Sequence, residues 1–181
     1  MQEYLTLPYY AKAEKIKCFI TDVDGVLTDG AIIIDNHGNE LRSFNVQDGM
    51  GLKLLMLSGI EVAVITTSKC EVIDHRMRQL GITHYFKGQY NKENAFLKLQ
   101  EILQIDFESF AYIGDDLPDI PIMQQVGLSF AVANAVPEVK ASATIKTTAK
   151  GGSGAVREAC DFLLTAQNKT ATAIKKYLSL S

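Results

Sequence analysis

The sequence predicts an α/β fold: a Rossmann-like parallel sheet with helices on both faces and an inserted β-hairpin. Three observations carry this. Short β-rich runs alternate with helically spaced segments over most of the 181 residues, with brief connections between them. The runs are continuously apolar, as in strands buried on both faces. One stretch, 31–44, breaks the rhythm and reads as two arms about a polar turn.

In chain order, the first strand is the apolar run "IKCFIT", 16–21, which ends at the acidic pair Asp22 and Asp24. The hairpin 31–44 follows, turning at 36–39; its first arm holds Ile32, Ile33 and Ile34. An arm so apolar that projects from the fold is expected to pack on another subunit. Helix 49–57 leads into strand 61–66, helix 69–80 into strand 84–86, and helix 92–103 into strand 110–113. A further helix, 117–125, precedes strands 128–132 and 144–146. The glycines of "GGSG", 151–154, resemble a phosphate cradle, but no P-loop arrangement surrounds them, so they read as a plain loop or hinge. An amphipathic helix starts at about Gly154, and the tail 168–181 is weakly helical, expected to be mobile or bound across a neighbour. The whole chain, 1–181, reads as one domain.

Composition narrows the function classes. Hydrophobic residues make up 47% and charged residues 22%, ordinary for a globular protein. A net charge of −3 provides no basic field, so nucleic acid is not an expected partner. No apolar stretch reaches the roughly 20 residues of a membrane span. The start, "MQEYLTLPYYAKAEK", lacks signal-peptide layout, and Cys18, Cys70 and Cys160 form no C-x-x-C pair. A reducing cytoplasmic location is the expectation. His37, His75 and His84 have no ligand spacing.

Ligands of open α/β sheets bind beyond the carboxyl ends of the strands. Four successive ends here carry Asp22 and Asp24, then Thr66, then Lys92 at the start of the next helix, then "GDDLPD", 114–119. Each has an ordinary reading as turn former, helix cap or surface residue. Their collection at one edge is improbable by accident. In extended backbone Asp22 and Asp24 face the same way, and Gly25 lets the chain turn off sharply. Mg²⁺ takes oxygen ligands from one or two carboxylates, here Asp22 and Asp115, with the backbone carbonyl of Asp24. A phosphate can then approach Asp22 as nucleophile, while Asp24 serves as general acid and base. Thr66 can donate to a phosphoryl oxygen and Lys92 can balance developing charge. Asp116 and Asp119 would orient metal waters or Lys92.

These motifs, "DVDGVLTDG", "VAVIT" ending in Thr66, Lys92 and "YIGDDLPD", resemble the haloacid dehalogenase superfamily in order and spacing. Finer matches in "FNVQDGMG", "LGITH", "KGQYNK", "VGLSFAVANA" and "GGSGAVRE" are similar to its small branch without a large cap, the 3-deoxy-D-manno-octulosonate 8-phosphate phosphatases. The resemblance implies a phosphoric monoester hydrolase of lipopolysaccharide precursor synthesis, acting on a small phosphorylated sugar acid through an aspartyl-phosphate on Asp22. It implies Mg²⁺ held by Asp22, Asp24 and Asp115. Substrate contacts would come from Asp24, Asn45, Val46, Gln47, Asp48, Gly49, Lys53, Arg76 and Lys92. It also implies a homotetramer in which hairpin 31–44 of one subunit caps the site of the next.

Thr67 and Ser68 stand where the branch carries Gly-Arg, and Lys53 where it often has arginine. A nine-carbon keto-deoxy or acylneuraminate 9-phosphate is therefore the rival substrate. Two readings of another class are a phosphoacceptor receiver domain and an inactive sugar-phosphate-binding relative. A receiver places its acidic pair on the first strand and its acceptor on a later one, whereas here D-x-D comes first.

Overall fold

The computed structural model describes residues 7–180. After helix α1, Leu7–Ala13, strand β1, Cys18–Thr21, enters the centre of the molecule with all four residues buried. The hairpin consists of β2, Ile33–Ile34, paired antiparallel with β3, Glu40–Leu41. Asp35 builds its turn: Oδ1 accepts from the backbone N–H groups of His37 and Asn39, and Oδ2 accepts from the Asn39 side chain. Helix α2, Val46–Leu57, leads to β4, Glu61–Ile65; α3, Glu71–Leu80, leads to β5, His84–Phe86; and α4, Lys92–Leu103, leads to β6, Phe110–Gly114. Then come α5, Ile120–Met123, β7, Leu128–Ala131, α6, Pro137–Ser142, β8, Ile145–Lys146, α7, Ala155–Ala166, and α8, Thr170–Leu178.

The six main strands are parallel in the order β5-β4-β1-β6-β7-β8. The chain steps outward from β1 in one direction, then crosses over to build the other half, which leaves a crevice where the order reverses. Helix α2 packs with α3, α7 and α8, while α4 packs with α5 and α5 with α6. These groups sandwich Phe19, Ile20, Val64, Ile65, Tyr112, Ile113 and Phe130, all 1% exposed or less. Among the described residues no helix is long and apolar enough to cross a membrane.

The expected strands are all present, shorter by up to two residues at their ends except for β6, one residue longer. The helices differ more. Helix α2 begins at Val46, ahead of the expected 49, because the Asn45 side chain caps it by accepting from the Gln47 N–H at 2.8 Å. The segment 117–125 is a 3-10 turn, Leu117–Asp119, followed by the short α5, since Pro118 and Pro121 cannot donate to a longer ladder. Helices α1 and α6 were not expected from the spacing. The tail forms α8, which packs on α2: Ala173 is buried and Lys176 Nζ donates to the Leu57 carbonyl at 2.9 Å. In the isoleucine arm Ile32, Ile33 and Ile34 are each more than half exposed.

Candidate active site

Thr21, the last residue of β1, is registered with Val64 of β4 and Ile113 of β6, so Asp22 emerges between the loops that follow those two strands. The chain then turns at Gly25, whose φ is +85°. A Cβ there would also run into the Asp115 carboxylate, so glycine is needed for both conformation and space. Behind this turn lies the 151–154 loop. Gly152 donates its N–H to the Val26 carbonyl at 2.9 Å, Gly151 donates to Asn134 Oδ1 at 2.8 Å, and a Cβ on Gly151 would collide with the Gly25 carbonyl. The loop is a backing for the Asp22 turn, not a plain hinge.

Lys92, the first residue of α4, lies between two carboxylates, its Nζ 2.9 Å from Asp22 Oδ2 and 2.6 Å from Asp119 Oδ1. Burial opposes its charge, but Asp22 and Asp119 outweigh that and raise its pKa. Asp119 is fully engaged. Its Oδ1 also accepts from the Tyr112 hydroxyl at 2.6 Å, and its Oδ2 accepts from the N–H groups of Asp115 and Asp116 at 2.8 and 3.2 Å. Burial, together with Asp119 and Asp22, holds the Tyr112 hydroxyl protonated.

Asp22, Asp115 and Asp119 can bring one oxygen each to within 4.8 Å of one another. Of these, Asp22 Oδ1 and Asp115 Oδ1 are buried without any hydrogen-bond partner, whereas both oxygens of Asp119 are taken. Buried carboxylate oxygens left bare are costly, and a hard divalent cation is the group that suits them. Burial pushes the Asp115 carboxyl up to about 8, with Asp22 and Asp119 adding to the rise; burial also raises Asp22 against the pull of Lys92.

This pair has a measurable consequence. A carboxyl with a higher pKa folded than unfolded binds more protons in the native state, so its contribution to stability declines as pH rises from the unfolded value toward about 8. A cation in the site offsets that decline. The rise in melting temperature on adding Mg²⁺ is therefore expected to grow between about pH 5 and pH 8.5. A rise independent of pH would contradict this account of the cluster.

Asp24 points elsewhere. Its Oδ1 accepts from Nε of Arg42 at 2.7 Å, and Arg42 reaches back to Glu40 at 2.9 Å.

Known proteins resemble this chain over most of its length. A model of haloacid dehalogenase-like hydrolases matches residues 58–159. The 3-deoxy-D-manno-octulosonate 8-phosphate phosphatase KdsC of Escherichia coli K12 is 53% identical over 88% of this chain and 85% of its own length. The chain belongs to the haloacid dehalogenase-like hydrolases. A solved subfamily III A hydrolase of this superfamily from Legionella pneumophila is 61% identical, covers 95% of this chain and 94% of its own, and superposes with a TM-score of 0.94. The 3-deoxy-D-manno-octulosonate 8-phosphate phosphatase of Moraxella catarrhalis, solved with magnesium, phosphate and KDO, is 43% identical with a TM-score of 0.89, covering 93% and 97%. Membership of the haloacid dehalogenase-like hydrolases removes the receiver-domain reading.

Within this haloacid dehalogenase-like hydrolase, Asp22, Lys92, Asp115 and Asp119 come together as one cluster, and Thr66 is buried at the end of the adjacent β4. The Thr66 Oγ1 accepts from the Ser68 N–H at 3.1 Å, leaving its own proton to donate. Three further expected site residues are engaged by the fold itself. Asp116 is exposed and caps the 3-10 turn by accepting from the Leu117 N–H at 2.7 Å, so of Asp116 and Asp119 it is Asp119 that contacts Lys92. Asp48 is fully buried and faces α7, accepting from the backbone N–H groups of Gly154 and Arg157 at 3.3 and 2.8 Å. Its carboxylate ties α2 to α7. Asn45 is committed to its cap and, through Nδ2, to the Gly152 carbonyl at 3.4 Å.

Val46 is 77% exposed and Gln47 is exposed beside it, whereas Gly49 is buried under Arg76, whose guanidinium lies 5.7 Å from the Phe44 ring centroid and donates to the Asn45 carbonyl. Lys53 is half-buried one turn beyond Gly49 on α2. Two residues of consequence escaped the sequence reading. Tyr112 carried a signal, since a tyrosine inside a buried strand needs a partner for its hydroxyl. Arg42 carried none, because nothing in its spacing points to Asp24.

Proposed function

We propose that this chain is a Mg²⁺-dependent phosphatase that hydrolyses 3-deoxy-D-manno-octulosonate 8-phosphate to the free sugar acid and phosphate. The observation that supports it most is the pair of bare buried oxygens on Asp22 and Asp115 beside a Lys92 fixed by Asp119, in a chain 53% identical to a phosphatase of that name. Asp22 attacks phosphorus, the bond to the sugar oxygen breaks, and Asp24 gives that oxygen its proton. Water then gives a proton to Asp24 and attacks the aspartyl-phosphate, releasing phosphate and restoring Asp22. Lys92 and Thr66 donate to phosphoryl oxygens, where charge accumulates. Asp22, Asp115 and the Asp24 carbonyl would hold Mg²⁺, which would supply the positive charge that lets a phosphate dianion approach a carboxylate.

The sugar acid would be contacted by Val46, Gln47, Lys53 and Arg76 around the start of α2. In this reading 1–181 is one catalytic domain working in the cytoplasm on a lipopolysaccharide precursor. The test is phosphate release from a panel of sugar phosphates with Mg²⁺ or EDTA. Metal-dependent release fastest from the eight-carbon acid is expected. Preference for the nine-carbon keto-acid 9-phosphate would assign specificity to Lys53, Thr67 and Ser68 and displace the eight-carbon reading. Silence across the panel would favour an inactive sugar-phosphate-binding relative.

Assembly belongs to the same proposal. The Ile32–Ile34 arm, with Leu41 opposite, is an exposed apolar face on a two-stranded ribbon too small to be stable alone. It would cap the site of a neighbouring subunit in a homotetramer. Ile33→Asp is expected to dissociate the assembly in sedimentation and to lower turnover on the sugar acid. A variant that stayed tetrameric and fully active would remove the capping role.

A further inference from the structure

The Asp24 carboxylate is 27% exposed, and among the described residues one hydrogen bond fixes it, from Arg42 Nε. Arg42 is itself held firmly. Its side chain is 2% exposed, Nη2 meets Glu40 Oε2 at 2.9 Å, and Nη1 donates to the Leu41 carbonyl at 3.2 Å. Glu40 and Leu41 form β3, which is registered with β2 as Ile34 to Glu40 and Ile33 to Leu41. A continuous series of contacts thus runs from the exposed isoleucine arm, through Glu40 and Arg42, to Asp24.

We infer that Arg42 is a positioning residue for Asp24, making proton transfer dependent on how the hairpin is seated. The inference rests on the reading of Asp24 as acid and base. An aspartate side chain has one staggered torsion and one broad one, so without the guanidinium its oxygens sample several directions. Proton transfer needs the carboxylate within hydrogen-bond reach of the leaving oxygen, and a misplacement of about 1 Å costs on the order of 10²-fold. Arginine suits the task because a rigid fork can hold two carboxylates at once, Asp24 through Nε and Glu40 through Nη2. A lysine at this position would satisfy one of them well and leave the other loose. It follows that a neighbour packed on Ile33 and Ile34 acts on this subunit's own Asp24 as well as covering a site.

The test compares two substrates. On the eight-carbon sugar phosphate, whose alkoxide must be protonated as it leaves, Arg42→Gln is expected to lower kcat by roughly 30- to 100-fold with KM within about threefold. Arg42→Lys should recover a substantial part of that loss. The pre-steady-state burst of nitrophenolate from p-nitrophenyl phosphate, a leaving group that departs as an anion, reads Asp22 attack and the integrity of the fold. The sugar-phosphate loss should exceed the burst loss at least about tenfold, and Arg42→Gln should change the burst equally with and without Asp24→Asn. Equal losses on both substrates would make Arg42 merely structural and overturn the inference. So would a raised KM with kcat unchanged, which would make it a substrate-binding group. If Asp24→Asn itself kept turnover on the sugar phosphate, the acid/base reading would fail independently of Arg42.

Discussion

Replacing Asp22 by asparagine is expected to abolish turnover while stabilising the metal-free protein. The amide keeps the shape of the side chain and removes the proposed nucleophile, for which a loss of about 10⁴-fold or more is the usual scale. The stability effect has the opposite sign. Burial raises the Asp22 carboxyl above its ordinary range even with Lys92 2.9 Å away, which means that its ionised form is held at a cost in the folded chain. A neutral isostere removes that cost and also relieves Asp115, whose own rise owes part to Asp22. In EDTA near pH 8 the variant should melt above the wild type, and with Mg²⁺ this advantage should shrink or reverse, because a proposed ligand has gone. Paired melting curves and phosphate-release assays check both halves. Retention of more than a few per cent of activity would sink the nucleophile assignment, and a lower melting point in EDTA would contradict the electrostatic account.

Lys92→Met should damage both fold and catalysis. Lys92 bridges Asp22 and Asp119, and its removal leaves two buried carboxylates, with Asp115 close by, without that cation. Breaking a buried pair by removing one partner costs about 3–5 kcal/mol. For a chain of this size each kcal/mol lowers the melting temperature by about 2–4 °C, so a drop of roughly 6–20 °C is expected. The drop should be largest without metal at high pH, where the carboxylates are ionised, and smaller with Mg²⁺ or near pH 5. Turnover should fall by about 10²- to 10³-fold, the scale for losing the charged donor to the phosphoryl group that the proposed mechanism assigns to Lys92. A variant that melted like the wild type in EDTA at pH 8 would show that the Asp22–Lys92–Asp119 network carries little of the stability.

The edge on which the site lies was legible in the sequence because it depends on local facts. Alternation of apolar runs and helical spacing locates strand ends, and a strand end in a parallel sheet is a place. Asp22, Thr66, Lys92 and Asp115 could be assigned to one edge without knowing which strands were neighbours. The D-x-D spacing was less informative than it looked: Asp22 turns to the cluster, whereas Asp24 turns to the hairpin. The acids of "GDDLPD" illustrate the same limit. Asp115, Asp116 and Asp119 are equivalent as residue types, yet one is a bare buried oxygen, one an exposed cap and one the anchor of Lys92 and Tyr112.

The sequence by itself determined the fold class, the strand ends, the exposed isoleucine hairpin and the acidic and basic residues available for phosphate chemistry. Only the tertiary structure decided their partners. Asp48 and Arg157 are 109 positions apart, Lys92 and Asp119 are 27 apart, and Arg42 and Asp24 are 18 apart. No periodicity joins such positions, because a hydrogen bond forms over about 3 Å and depends on which element lies opposite. That is set by the strand order β5-β4-β1-β6-β7-β8 and by the packing of α2 on α7, which are properties of the whole chain.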